Sequence, residues 1–155
     1  GKIDAAASSS EFVPLADKQG FKVLAHAADI VPLYPRFVIV ANGESLEKKG
    51  DAAIRFLAAE MEGLSYALNH REETLKLAAK TINVDENDER LVYFYDEVKS
   101  KNLVSPESII PYEKIEWLQE FLIELGRLEK KLDMDEITDE YYRQEALKIA
   151  NLDQS

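Results

Sequence analysis

The runs of this sequence that read as β-strands all fall within its first 41 residues, and nearly everything after them is patterned for helix. Ile3–Ala7, Phe21–Ala25 and Arg36–Ala41 are short, apolar and flanked by turn residues, the pattern of buried strands. Such a run cannot satisfy its own backbone N–H and C=O groups, so it must meet another run of this chain or a separate polypeptide. The opening GKIDAAA reads as a turn leading into the first strand, with no cap, leader or partner strand encoded before it. The expectation is that its neighbours come from downstream, from a second chain or from an absent part of a parent protein. Between the first two runs, a helix is expected over residues 11–19, with Ser10 as N-cap, Pro14 in the first turn and Gly20 as the left-handed stop. His26–Pro35 reads as a loop, because Pro32 and Pro35 push their predecessors toward extended geometry.

From Asn42 onward, apolar residues recur at spacings of three and four. A short helix over Glu44–Lys49 is expected to stop at Gly50, followed by a long one with Ile54, Leu57, Met61, Leu64 and Leu68 on one face. Arg71–Ile82 repeats the stripe with Leu75, Ala78, Ala79 and Ile82. A further helix is expected to start at Asp85, with Asp88 three residues on, and to carry Leu91, Phe94, Tyr95 and Val98 as its apolar stripe. After a turn region containing Ser105-Pro106, where a single helical turn is expected, Tyr112–Leu125 carries Ile115, Leu118, Leu122 and Leu125, with Gly126 as its stop. Thr138 is expected to cap a last helix over residues 139–150.

Charge narrows the partners. With 19 basic and 30 acidic residues the chain carries −11, whereas nucleic acids and anionic membranes require Lys and Arg gathered on one face. There is no cysteine, so disulfides, thiolate nucleophiles and Cys-type zinc sites are excluded. The two histidines, His26 and His70, have no spacing-matched ligand that would make a metal site. The acidic run at Asp85, Glu86, Asp88 and Glu89 lacks EF-hand spacing and reads as a solvated helix start. Neither a phosphate loop, a nucleophile elbow nor a His-Glu-x-x-His motif occurs, and no cofactor is implied.

Two groups of residues could carry binding chemistry. Ser8, Ser9, Ser10 and Glu11 lie between a strand and a helix, where hydroxyls and free N–H groups could converge on an anion; the plainer reading is a tight turn with a cap. Tyr34 and Arg36 flank Pro35, and an Arg could hold a sulfonate or carboxylate bidentately; the plainer reading is a surface Arg and a Tyr packed on proline. Asp4 could bond a ligand or a neighbouring loop. Tyr93, Tyr95, Trp117, Tyr141 and Tyr142 could form a recognition surface, although their helical spacing suits core and rim positions.

The order GKIDAAASSSEFVPLADKQGFKVLA, LYPRFVIVAN, GDAAIRFLAAEMEGLSYALNH and LGRLEKKLDMDEITDEYY resembles the C-terminal half of extracytoplasmic solute-binding proteins of ABC transporters, in the nitrate/sulfonate/taurine and thiamine-precursor group. The resemblance runs from about Gly1 to Ala150. It implies an α/β fold, a fragment of a periplasmic-binding-protein type II arrangement, with strands in residues 1–41 and a mostly helical remainder at 42–152. A lobe crossover would lie near residues 29–36, and much of a two-lobed protein would be missing. It further implies a non-enzymatic receptor, outside the cytoplasm, whose signal or lipid anchor would lie on the missing part. Such a receptor would hold a small anionic or heteroaromatic ligand with Ser8–Glu11, Tyr34 and Arg36, and dock on an ABC permease. Thiamine-precursor synthases share the fold so implied and give a less favoured, enzymatic alternative, although their cysteine-rich motif cannot exist here. The remaining alternative is a free-standing helical interaction module that pairs, and could dimerise, through its exposed strand edges.

Overall fold

The computed structural model describes residues 3–152. Among these residues, a 3-10 turn at Ser10–Phe12 is followed by eight helices: α1 (Val13–Lys18), α2 (Ala27–Ile30), α3 (Gly43–Asn69), α4 (Arg71–Ile82), α5 (Glu89–Ser100), α6 (Tyr112–Glu124), α7 (Met134–Ile137) and α8 (Glu140–Ile149). Among the described residues there is no strand and no sheet. This overturns the expected α/β, periplasmic-binding-protein type II-like fragment. Ile3–Ala7, Phe21–Ala25 and Arg36–Ala41 lie outside regular structure, and their large side chains face solvent: Leu24 is 82% exposed, Phe37 77% and Val40 84%. The reason is the one that makes strands non-local. A helix closes its hydrogen bonds within one segment, whereas a strand exists only where a second strand accepts its backbone groups.

The described residues form two compact units: residues 3–24 with Tyr66–Val104, and Ala25–Ser65 with residues 105–152. In the first unit, α4 packs on α5, and α5 also contacts the 3-10 turn and α1. Leu75 and Ala79 supply its buried side chains. Gly20, at φ 77°, ends the first helical segment in the left-handed region, as expected, and Pro14 sits in the first turn of α1. The expected cap does not form: Ser10 lies inside the 3-10 turn and the preceding Ser9 makes no capping bond. Asp88, rather than Asp85, caps α5 by accepting from the Arg90 N–H at 2.9 Å.

In the second unit, Ala58 and Met61 of α3 pack with Ala146 of α8, flanked by Ile54, Leu57, Leu147, Ala150 and Leu152. Met61 is fully buried, and truncating such a side chain to Ala costs about 2–5 kcal/mol. An exposed pair such as Glu44–Lys48 contributes about 0.3–0.5 kcal/mol, so packing decides this unit's stability. The expected stop at Gly50 becomes a kink inside α3, where Lys49 leaves helical geometry (φ −137°, ψ 30°). Gly50 itself permits a close approach: a Cβ there would lie 3.3 Å from Cε1 of Tyr142.

Gln119 of α6 is buried and holds the segment leading to α7, its Oε1 accepting from the Leu132 N–H at 2.6 Å. Asp133 and Asp139 cap α7 and α8 by accepting from the N–H groups two residues on. Thr138 is therefore not the cap of α8; its hydroxyl donates to the Met134 carbonyl at 2.8 Å. Gly126, at φ 66°, terminates α6 as expected, while no helix forms at Pro106. Neither α2 nor α7 is expected from periodicity, since four residues are too few to show it.

Candidate functional site

Ser8–Glu11 and the Tyr34/Arg36 pair belong to different units, so each is a separate local arrangement. Ser8 is exposed in irregular chain. The Ser9 hydroxyl donates to Glu11 Oε1 at 2.7 Å. That contact works against anion binding, because it commits the hydroxyl to a carboxylate and places a negative charge where an anion would arrive. Ser10 and Glu11 are half-buried in the 3-10 turn. Tyr34 closes a turn through its N–H to the Val31 carbonyl at 3.1 Å, and the residue is 48% exposed. Arg36 is exposed with no side-chain partner among the described residues, which leaves its guanidinium available to an anion.

Two open concavities lie in the first unit, on the face of α5. One open groove of about 620 Å³ is lined by Pro14, Asn87, Val92 and Tyr93, with Asp96 and Glu97. A second, of about 420 Å³, lies against Leu15, Lys18, Asp88 and Arg90. Charges line both, but each has an opposite partner: Lys18 pairs with Glu89, Arg90 with Asp88, Arg71 with Asp96 and Lys101 with Glu97. The grooves thus offer modest apolar surface with neutralised rims, a poor trap for a strongly charged ligand.

The pKa shifts report the same pairing. The Arg90 side chain and backbone N–H hold the Asp88 carboxyl down at about 2. The bidentate Arg71 contact, at 2.9 and 3.0 Å, lowers Asp96 and in turn raises Arg71. Burial pushes the Tyr95 phenol up; its hydroxyl donates to the Ala67 and Leu68 carbonyls at 2.8 and 3.0 Å, and the Arg71 guanidinium lies 5.7 Å over its ring. Tyr95 is thereby a clamp on the C-terminal carbonyls of α3, which have no helical partner of their own.

His70 is occupied locally: its ring stacks on Tyr66 at 3.9 Å and its Nδ1 lies 3.0 Å from the Tyr66 carbonyl. His26 occupies the N-cap position of α2 without a capping bond. Among the described residues, no group of three or more His, Asp or Glu side chains could hold a metal ion. No described helix is long and apolar enough to cross a membrane. Asn87, which lines the larger groove, carries no sequence signal that would single it out, whereas Tyr93 beside it is one of the aromatics noted above. Lys18 and Glu89 are 71 residues apart, so their pairing is invisible in the sequence.

No family model, curated protein or solved structure matches the chain.

Proposed function

We propose that this chain belongs to a solute-capture protein of an ABC importer, a binding component that takes a small anionic or heteroaromatic molecule outside the cytoplasm and presents it to a permease. The observation that carries the proposal is the state of Phe21–Leu24 and Phe37–Val40. The resemblance makes these runs the interior of a receptor, and they stand here uncovered, apolar and without backbone partners among the described residues, save the Phe21 N–H on the Ala16 carbonyl. Exposed runs of this kind mark surfaces completed by another polypeptide. The α/β arrangement of this chain by itself is no part of the proposal. Arg36, exposed and unpaired among the described residues, is the side chain best placed to meet an anionic ligand.

The neutralised rims of the two grooves favour capture at the uncovered segments over capture on the face of α5. A chain whose binding surface is incomplete holds its ligand weakly, since few groups are pre-organised around it. Titrating the chain with taurine, nitrate and an aminopyrimidine, followed by amide NMR shifts, tests this. The expected result is millimolar-range binding to at least one of them, with shifts at Tyr34 and Arg36. Absence of shifts at these residues with all three ligands overturns the solute reading; micromolar binding overturns the incompleteness.

A further inference from the structure

The run Arg36–Ala41 lies within the second unit, outside any helix, and none of its backbone groups has a partner among the described residues. Phe37, Val38, Ile39 and Val40 are 77, 50, 51 and 84% exposed. Three of the four are β-branched, and neither Pro nor Gly interrupts the run, so every residue can both donate and accept in a ladder. We infer that the polypeptide covering this run is a second copy of the same chain, paired antiparallel about a twofold axis through Ile39.

Charge favours a copy of the chain at this place. The chain carries 30 acidic and 19 basic residues, so most of its surface repels a second copy, yet Ala25–Asn42 holds one acid, Asp29, and one base, Arg36. The run thus lies in a sparsely charged stretch of an acidic molecule.

Symmetry then selects the register. In an antiparallel pair, opposed residues point to the same face, so a twofold axis must pass through a residue opposed to its own copy. Centring on Ile39 opposes Val38 to Val40, Phe37 to Ala41 and Arg36 to Asn42. One face then gathers Phe37, Ile39 and Ala41 from both copies, while Val38 and Val40 lie between Arg36 and Asn42 on the other. Centring on Val38 is worse: Pro35, which has no N–H, enters the ladder, and Arg36 falls opposite Val40. A parallel pairing in register stacks Arg36 on Arg36, a like-charge contact that is destabilising. A two-stranded ribbon is marginal by itself, so the association is weak and concentration-dependent, and trapping is the appropriate readout.

The chain contains no cysteine, so single-cysteine variants report without background. Opposed Cβ atoms lie about 4.5–5.5 Å apart, close to the roughly 3.5–4.5 Å that a disulfide spans. Under mild oxidation of the otherwise full chain, Ile39→Cys is expected to form disulfide dimers several-fold faster than Val38→Cys or Val40→Cys alone. Mixing Val38→Cys with Val40→Cys is expected to give the mixed dimer in excess over either homodimer, and urea is expected to abolish both preferences. Equal rates for the three variants, or no dimer from Ile39→Cys, overturns the inference, as does capture of the run by an unrelated protein while the chain stays monomeric in sedimentation. The inference rests on the part of the proposed function that requires this run to be covered. No solute enters the trapping experiment, so its failure and the failure of ligand titration are separate results.

Discussion

Asp88 shows how one side chain links local sequence to stability. Its carboxylate accepts from the Arg90 N–H at 2.9 Å, filling one of the donor sites left open at a helix start, and also pairs with the Arg90 guanidinium at 2.6 Å. Both contacts favour the charged form, hence a folded-state pKa of about 2 against an ordinary aspartate value near 3.9. Because the folded value is the lower one, the stabilisation is fully present above about pH 4 and is lost as pH falls toward about 2. Other carboxylates titrate in the same window, so the comparison must be with Asp88→Asn, which keeps capping ability and removes the charge. Urea denaturation of the two proteins is expected to show the variant less stable at neutral pH and the gap closing by about pH 2. A gap independent of pH rules out this account. Arg71 and Asp96 follow the same logic on the neighbouring face, but both are half-exposed and solvent screens much of their attraction.

Helices are the legible part of this sequence because their evidence is local. Ile54, Leu57 and Met61 recur at spacings of three and four, and the structure buries or half-buries all three in one cluster. Gly20 and Gly126 mark helix ends since both adopt positive φ, which a residue with a Cβ rarely does. The caps are harder to place: Thr138 and Asp139 are adjacent and both suit the role, and only the observed bond from Tyr141 N–H selects Asp139. The strand-like runs mislead for a different reason. Apolar β-branched composition reports a capacity to pair, and whether Phe37–Val40 pairs is decided by a partner that local pattern does not encode. The same limit applies to the candidate site, where Ser9 and Glu11 are neighbours in sequence and can be placed together, but the long-range ion pairs beside the α5 grooves cannot. Gly63 tests the helical reading directly. It is exposed in the interior of α3, and a Cβ added to it would have nothing within 4 Å. Gly63→Ala therefore removes unfolded-state freedom without a clash and is expected to raise unfolding stability by about 0.5–1 kcal/mol in chemical denaturation. A loss of stability means that this face of α3 is covered by a contact absent from the described residues.

The chain as a whole combines well-formed helical packing with a long apolar stretch that nothing in the described residues covers. Backbone groups in α3 to α5 are hydrogen-bonded along their helices, whereas Arg36–Ala41 offers a protease an accessible main chain. Trypsin can cut after Lys22 and Arg36, both exposed and outside helices. In a brief digestion of dilute chain, cuts after these two residues are expected ahead of any cut within α3 to α5. The two sites then part company if the second copy pairs as inferred, because Arg36 lies in the ladder and Lys22 does not. Raising the chain concentration at a fixed ratio of trypsin to chain is expected to slow cleavage after Arg36 while cleavage after Lys22 proceeds unchanged. Mass spectrometry of timed samples separates the two products. Protection of both sites together indicates general association rather than a defined ladder, and protection of neither shows that the run stays uncovered at every concentration tested. Early cutting inside α3 to α5 contradicts the helical architecture itself, since a protease engages a helix interior only after local unfolding, and such opening draws on a large part of a unit's stability.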